Sequence, residues 1–288
     1  MKAIEIKNLK KKLDTFHIKG LNFTVPKGKI VGLIGENGAG KTTTIKLIMD
    51  VIQRDSGEVL FFGKPLSKSL KEDISVVYDE INFYEKIDVT KINAILKNIF
   101  KTWDTKKYFQ LVDRFKLPKN KVIGKFSKGM KMKLNIIIGL SHSPKLFILD
   151  EPTSGLDPSS RMEILDLFLE FIQNEEHSIL LSSHITSDLE RIADYIVMIH
   201  NGEIILQLNK DELLYHYGIV RCSEKQFQLI PENVIFAYQK SNSMYEVVIT
   251  NTPDMKEAYP ELTIDGNSID DMMTIYLKGE RRHERTSH

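Results

Sequence analysis

The sequence contains very little cysteine and no long apolar run. Cys222 is the only cysteine among 288 residues, so no internal disulfide can form, which suits a reducing cytosol. No stretch free of Lys, Arg, Asp and Glu exceeds 11 residues, as at 134–144, whereas a membrane-spanning helix needs about 20 apolar residues. We therefore expect no segment that crosses a bilayer.

An excess of basic charge is also absent. The 40 Lys and Arg residues balance 39 Asp and Glu residues, which leaves a formal net charge of +1. Proteins that bind nucleic acid usually concentrate positive charge on one face, so we expect no nucleic-acid partner. The length suits about two domains at roughly 150 residues each.

Short apolar segments recur along the first two thirds of the chain. Alternating apolar and polar residues predict half-buried strands at 4–6 and 21–25. Strands buried on both faces are predicted at 30–34, 146–149, 179–181 and 195–199. Between about 72 and 145 the spacing is helical, with Ile92, Ile95, Leu96 and Ile99 on one face. This pattern indicates an α/β fold with a mostly parallel core sheet and a helical subdomain at about 72–145.

The last quarter of the chain predicts a small α+β accessory domain. Two strands, at 234–238 and 245–250, are joined by a plausible hairpin turn. Ser268 and Asp271 form a capping-box start for a helix through Leu277. We expect a main domain at 1–213, this accessory domain at 214–279 and a flexible tail at 280–288.

A glycine-rich loop follows the predicted strand at 30–34. It matches the pattern G-x-x-x-x-G-K-S/T and precedes a predicted helix, which is the context that a phosphate-binding loop requires. Backbone amides and the positive end of the helix favour phosphate, Lys41 reaches the β- and γ-phosphates, and the Thr42 hydroxyl coordinates Mg²⁺. The loop predicted to bind a nucleoside triphosphate consists of Gly35, Glu36, Asn37, Gly38, Ala39, Gly40, Lys41, Thr42 and Thr43.

Two adjacent acids end the apolar strand at 146–149. Asp150 is expected to hold Mg²⁺ directly or through water, because an acid at the end of such a strand lies beside the nucleotide. Glu151 is then positioned to polarise the attacking water as a general base. Together with the loop, this pair predicts a hydrolytic site.

Further motifs in the same order make the chain resemble the ABC ATPases. Phe126, Ser127, Lys128, Gly129 and Met130 are similar to the signature sequence of that family, and Ser154, Gly155, Leu156 and Asp157 match its D-loop. His184 matches the family's switch histidine. The resemblance covers residues 1 to about 210.

The resemblance implies a fold of the ABC ATPase type within the P-loop hydrolases and a hydrolytic mechanism that uses ATP and Mg²⁺. Two such subunits, identical or related, would sandwich ATP between them, with Ser127 and Gly129 on the γ-phosphate held by the opposite subunit. His184 would contact that phosphate and, with Glu151, hold the attacking water. An integral membrane permease would be the partner, which places the chain at the cytoplasmic face of the cell membrane.

Four positions depart from the family pattern or align loosely with it. Lys128 replaces a glycine and Met130 replaces a glutamine in the signature. The family's Mg²⁺-contacting glutamine is replaced here by Asp79, with Glu80 next to it. The aromatic residue that stacks on adenine corresponds to Phe16, for which core packing is the alternative.

The form of the signature, the acidic loop and the C-terminal domain resemble those of bacterial ATPases that serve antibiotic or peptide export. The alternatives are a soluble ABC ATPase that acts on ribosomes or DNA, and a nucleotide switch that hardly hydrolyses. The single phosphate loop and the missing basic block argue against the first, and Glu151 and His184 argue against the second.

Overall fold

The computed structural model describes residues 1–78, 85–241 and 244–281, which form two compact units, Met1–Gln207 and Leu208–His288. The strands that begin in the first unit are β1 (Lys2–Lys12), β2 (His17–Pro26), β3 (Ile30–Ile34), β4 (Ser56–Phe61), β5 (Ile74–Val77), β6 (Leu146–Asp150), β7 (Ser178–Ser183), β8 (Tyr195–His200) and β9 (Glu203–Asn209). Its helices are α1 (Lys41–Ile48), α2 (Val89–Leu96), α3 (Thr105–Arg114), α4 (Lys128–Ser141), α5 (Pro158–Phe171) and α6 (Thr186–Ile192). None of the helices in the described part of the chain has the length and apolar character that crossing a bilayer requires.

The core of the first unit is a six-stranded sheet in the order β5-β6-β7-β3-β8-β9. The pairs from β5 to β8 are parallel, and β3, β6 and β7 are buried along their whole length. These strands are continuous apolar runs because helices cover both faces of a parallel sheet. The four buried strands predicted from the sequence are confirmed as β3, β6, β7 and β8. Since parallel strands point the same way, their carboxyl ends meet along one edge.

A second, antiparallel sheet in the order β2-β1-β4 follows from the alternating segments near the N-terminus. Its inward residues join the same core as β3 and α1, among them Ile4, Ile6, Phe23 and Val25. The predicted N-terminal strands are therefore confirmed, and they place the loop between β1 and β2 beside α1.

The helical subdomain begins later than predicted. Strand β5 lies inside the stretch assigned to helices, because residues 74–77 pair in parallel with β6 at the edge of the core sheet. Helix α2 ends at Leu96, so Ile99 is not part of it, and Ile95 and Ile99 are exposed. Of the predicted face only Ile92 is buried, and it shares the buried face with Val89 and Asn93.

The second unit contains α7 (Lys210–His216), β10 (Gly218–Ser223), α8 (Glu224–Phe227), β11 (Ile235–Ser241), β12 (Met244–Ile249), α9 (Thr252–Ala258), β13 (Ile264–Gly266), α10 (Ile269–Lys278) and β14 (Glu280–Arg281). From β10 to β13 the order is β-α-β-β-α-β, and the antiparallel sheet runs β13-β10-β12-β11-β14. The predicted hairpin is confirmed as β11 and β12. Ser268 caps α10 by accepting from the Asp271 amide at 3.0 Å, also as predicted.

Two predicted boundaries differ from the structure. Helix α7 groups with the second unit, since it packs on α9 and the Leu213 carbonyl accepts from Asn267 at 3.1 Å. The division therefore falls between Gln207 and Leu208, upstream of the predicted one at 213. Of the predicted flexible tail at 280–288, Glu280 and Arg281 instead form β14, because α10 packs on β11 and delivers the chain to that strand's edge.

Candidate active site

The glycine-rich loop connects β3 to α1 at the carboxyl edge of the core sheet. Gly40 precedes α1 with φ 111°, a left-handed conformation, and a Cβ there would lie 2.8 Å from the Phe16 ring, so glycine is required on both counts. The first amides of α1 point out of the helix without intrahelical partners, which makes this end suited to an anion.

The Lys41 side chain folds back into the phosphate-binding loop. Its ammonium donates to the Gly35 carbonyl at 2.7 Å and to the Glu36 carbonyl at 3.1 Å, and the side chain is only 6% exposed. The loop therefore wraps around its own lysine and keeps the positive charge at the floor of the site.

The two acids after β6 have different surroundings. Asp150 is buried and accepts from the Ser182 hydroxyl at 2.6 Å. Glu151 has φ 50°, which is rare for a residue other than glycine. Its amide donates to the Ser182 carbonyl at 3.2 Å and to the Ser182 hydroxyl at 3.1 Å. Strand β7 thus fixes both acids.

The Glu151 carboxylate contacts both of the other predicted catalytic side chains. Its Oε1 lies 3.1 Å from Lys41 Nζ, and its Oε2 lies 2.7 Å from His184 Nδ1 and 3.3 Å from the His184 amide nitrogen. The Glu151 side chain is 14% exposed and that of His184 is 39% exposed. The ends of β3, β6 and β7 therefore bring the predicted lysine, acid and histidine together.

These side chains open onto a cavity of about 730 Å³, within the size range of ligand pockets. The loop between β1 and β2 closes one side of it. Phe16, the candidate for stacking on adenine, lies there together with Leu13 and Thr15 of the same loop, which were not predicted because no motif marks them. The described lining residues are Leu13, Thr15, Phe16, Asn37, Gly38, Gly40, Lys41, Thr42, Thr43, Asp150, Glu151, Ser154 and His184.

Next to Asp150, burial raises the pKa of the Tyr78 phenol, and the Asp150 charge raises it further. A neutral phenol at the end of β5 therefore borders the acid pair. Asp79, the predicted Mg²⁺ ligand, and Glu80 lie outside the described residues.

The signature segment lies outside this cavity in the described part of the chain. Ser127 caps α4 by accepting from the Met130 amide at 3.2 Å, as predicted. The Lys128 side chain passes beside Gly155, and the Leu156 side chain lies over Gly129. Within one chain the signature therefore packs on the D-loop, of which only Ser154 lines the cavity.

The D-loop ends where α5 begins. Asp157 caps α5 by accepting from the Ser160 amide at 3.0 Å, and hydrogen bonds from Ser160 lower the pKa of this carboxyl. Three side chains that the sequence analysis did not single out, Thr153, Arg161 and Asp188, connect this region to α6. Their only signal in the sequence is their proximity to the D-loop and to His184.

Comparisons with known proteins agree with this geometry. Residues 18–154 match the model of the ABC transporter family. The chain is 30% identical over 261 residues to the ABC transporter ATP-binding protein YtrB of Bacillus subtilis, covering 89% of each chain. It is 35% identical over 211 residues to the lantibiotic transport ATP-binding protein SrtF of Streptococcus pyogenes, covering 72% of this chain and 91% of that one.

A comparison with solved structures supports the same family. The chain resembles cbiO1 from Clostridium perfringens, described as part of the ABC transporter complex cbiONQ, with a TM-score of 0.63 and 26% identity. The match covers 74% of this chain and 90% of that one. The chain therefore belongs to the ATP-binding subunits of the ABC transporter family. It is an ATPase, and the predicted family, fold class and enzymatic activity are confirmed.

Proposed function

We propose that this subunit energises the export of a peptide or antibiotic through a separate membrane permease, from the cytoplasmic face of the membrane. The observation that carries the proposal is the Glu151 carboxylate, held between Lys41 and His184 at the phosphate-binding loop. The similarity to a lantibiotic transport ATPase supports the class of cargo. Residues 1–207 would form the nucleotide-binding domain, and the second unit, from Leu208 onwards, an accessory domain.

In the proposed reaction the loop and Lys41 bind the β- and γ-phosphates of ATP, with adenine stacked on Phe16. Glu151 accepts a proton from water while the water oxygen attacks the γ-phosphorus. The bond between that phosphorus and the oxygen that bridges it to the β-phosphate breaks. His184 orients the water and the γ-phosphate. Glu151 passes this proton to the departing phosphate, ADP and phosphate are released, and the deprotonated carboxylate returns to contact with Lys41, whose positive charge balances its negative charge between turnovers.

The Thr42 hydroxyl and the Asp150 carboxylate both line the cavity, and such hard oxygen donors suit Mg²⁺. Among the described residues no three His, Cys, Asp or Glu side chains cluster to hold a metal ion, so Mg²⁺ would also be shared with phosphate oxygens. When bound, Mg²⁺ neutralises phosphate charge. Asp79 remains our third proposed ligand.

The site would be completed by a second subunit, either another copy or a related chain. Phe126, Ser127, Lys128, Gly129 and Met130 lie together at the start of α4, outside their own chain's cavity. The Ser127 cap and the amides of α4 would bind the γ-phosphate in the partner's site. Binding of ATP would close the dimer and hydrolysis would release it.

Glu151→Gln tests the catalytic role. We expect turnover to fall below detection, because an amide cannot accept the proton, while ATP still binds and traps a dimer that size-exclusion chromatography detects. Glu203→Gln, an exposed acid paired with Lys19, should leave turnover unchanged. Hydrolysis at the normal rate in Glu151→Gln would remove this residue from the role of base.

Purification of the tagged chain from detergent-solubilised membranes tests the transport role. A membrane protein with several spans should copurify in stoichiometric amount, and mass spectrometry would identify it. Copurification with ribosomes or DNA and no such protein would contradict the transport proposal.

A further inference from the structure

A buried carboxylate lies behind the active site, outside the cavity. Asp188 on α6 is 1% exposed, and Thr153, which follows Glu151 and Pro152, is 2% exposed. The Thr153 hydroxyl donates to Asp188 Oδ2 at 2.6 Å, and Arg161 Nε on α5 donates to Asp188 Oδ1. Both carboxylate oxygens are therefore used.

Arg161 extends this network to the segment that carries His184. Its Nη2 donates to the Ser187 hydroxyl at 2.7 Å, next to Asp188. The Arg161 side chain is 27% exposed and that of Asp188 is 2% exposed, so solvent reaches this ion pair only from the arginine side.

Each member of the network belongs to a different catalytic segment. Thr153 belongs to the turn after Glu151, and its carbonyl accepts from the Leu156 amide of the D-loop at 3.3 Å. Asp188 follows His184 and lies in the first turn of α6, and Arg161 follows the D-loop on α5. Asp188 is therefore hydrogen-bonded to the segment that carries Glu151, and it lies in the same segment as His184.

We propose that Asp188, held by Thr153 and Arg161, is a positioning residue that fixes His184 relative to Glu151 for ATP hydrolysis. The inference rests on the catalytic roles proposed above for those two residues. Among the described residues no hydrogen bond or ion pair joins these three side chains to the phosphate-binding loop, so the network acts on the hydrolytic step and leaves ATP binding to the loop.

Thr153→Val is the most direct test, because valine has the shape of threonine without its hydroxyl. It leaves Asp188 Oδ2 buried without a donor and frees the turn after Glu151. Displacement of catalytic groups by about 1 Å can lower rates by about 10²-fold, so we expect kcat to fall about 10- to 100-fold with the Kd for ATP within about twofold. Thr153→Ser restores the hydroxyl and should recover most of kcat.

Asp166→Asn is the matched control, since Asp166 pairs with Arg191 between the same two helices at 2.8 Å but on the surface. We expect its kcat to stay within about twofold, as for most exposed ion pairs. Thermal melting of each variant checks folding. If Thr153→Val does not fold, Arg161→Lys, which loses the forked donor geometry, is measured in its place.

The outcomes separate this inference from the proposed function. A normal kcat in folded Thr153→Val, with Glu151→Gln inactive, overturns the positioning role alone. A parallel fall of kcat, ATP affinity and melting temperature also overturns it, because that pattern is general destabilisation. Normal turnover in Glu151→Gln overturns the proposed mechanism itself.

Discussion

At the scale of residues, the active site holds backbone strain. Glu151 has φ 50°, and such a conformation costs about 1–3 kcal/mol in a residue other than glycine. Two hydrogen bonds from its amide to Ser182 and the contacts of its carboxylate with Lys41 and His184 offset that cost. In this conformation the Glu151 carboxylate reaches Lys41 of the phosphate-binding loop, which is where the proposed general base is needed.

His142, after α4, makes stability depend on pH. Its ring is 3% exposed and stacks on Phe100 with centroids 4.4 Å apart, and its Nδ1 has no hydrogen-bond partner in the described part of the chain. Burial lowers its pKa, the Lys107 charge lowers it further, and the Glu72 and His142 carbonyls oppose this. The unfolded chain therefore binds a proton at higher pH than the folded chain does.

Because the pKa of His142 is lower in the folded chain, the protein is less stable at acidic pH. Stability is fully present above the unfolded pKa of about 6.5 and falls as the pH drops below it towards the lower folded value. His142→Phe keeps the stack but not the titration, so its melting temperature should vary less between pH 7 and pH 5. His17→Gln, at an exposed position, should keep the wild-type slope. Equal slopes in His142→Phe and the wild type would contradict this assignment.

The proposed catalytic residues could be located from the sequence because each lies at a fixed place in a motif. Lys41, Asp150, Glu151 and His184 all follow apolar strands whose parallel ends must meet. Thr153 and Asp188 were not predictable, since their contact depends on how α5 and α6 pack. No local pattern of residue types encodes such a contact.

At the scale of elements, the turn between β8 and β9 ties the phosphate-binding loop to β2. The Gly202 amide donates to the Ala39 carbonyl at 3.1 Å, and its carbonyl accepts from the Lys19 amide at 2.9 Å. Gly202 has φ 76°, and a Cβ there would lie 1.9 Å from the His17 carbonyl. The turn therefore tolerates only glycine.

Gly202→Ala should lower the free energy of unfolding by roughly 3 kcal/mol or more, because strain and overlap add. Gly63→Ala is a matched control with φ 80° and no atom of the described residues within 4 Å of the new Cβ, so only the backbone cost of about 1–2 kcal/mol remains. Urea unfolding measures both. Equal losses in the two variants would show that the contact with His17 relaxes freely.

Strands buried on both faces were the most predictable elements, since their composition leaves few alternatives. Strand β5 was not predicted because it has four residues, Ser75 interrupts its apolar run, and it lies at the sheet edge. The face of α2 was misassigned because Ile95 and Ile99 fit a helical period although the helix ends at Leu96. Periodicity alone cannot fix where a helix stops.

At the scale of the whole molecule, the phosphate-binding cavity and the signature, which we propose to be two halves of one site, lie apart within a single chain. The cavity contains the loop, Glu151 and His184, while the Ser127 segment packs on the D-loop outside it. If two copies pair, the loop of each would face the signature of the other. Activity would then belong to the dimer, and specific activity should rise with protein concentration.

Mixing two inactive variants tests this arrangement. Lys41→Ala disables the loop and Ser127→Arg disables the signature, so each variant alone should be inactive. In a mixed dimer one site combines both defects and the other is intact. An equal mixture of freely exchanging copies forms mixed dimers half of the time, so about one quarter of wild-type activity should return if sites act independently.

The control is Lys41→Ala mixed with Glu151→Gln. Both changes lie on the same side of the site, so every site in that mixture contains one defect and no activity should return. Recovery only in the first mixture supports a site shared between copies. An inactive first mixture, with exchange of subunits verified by a tag on one variant, would contradict pairing of identical chains in this way. The working partner would then have to be a related subunit.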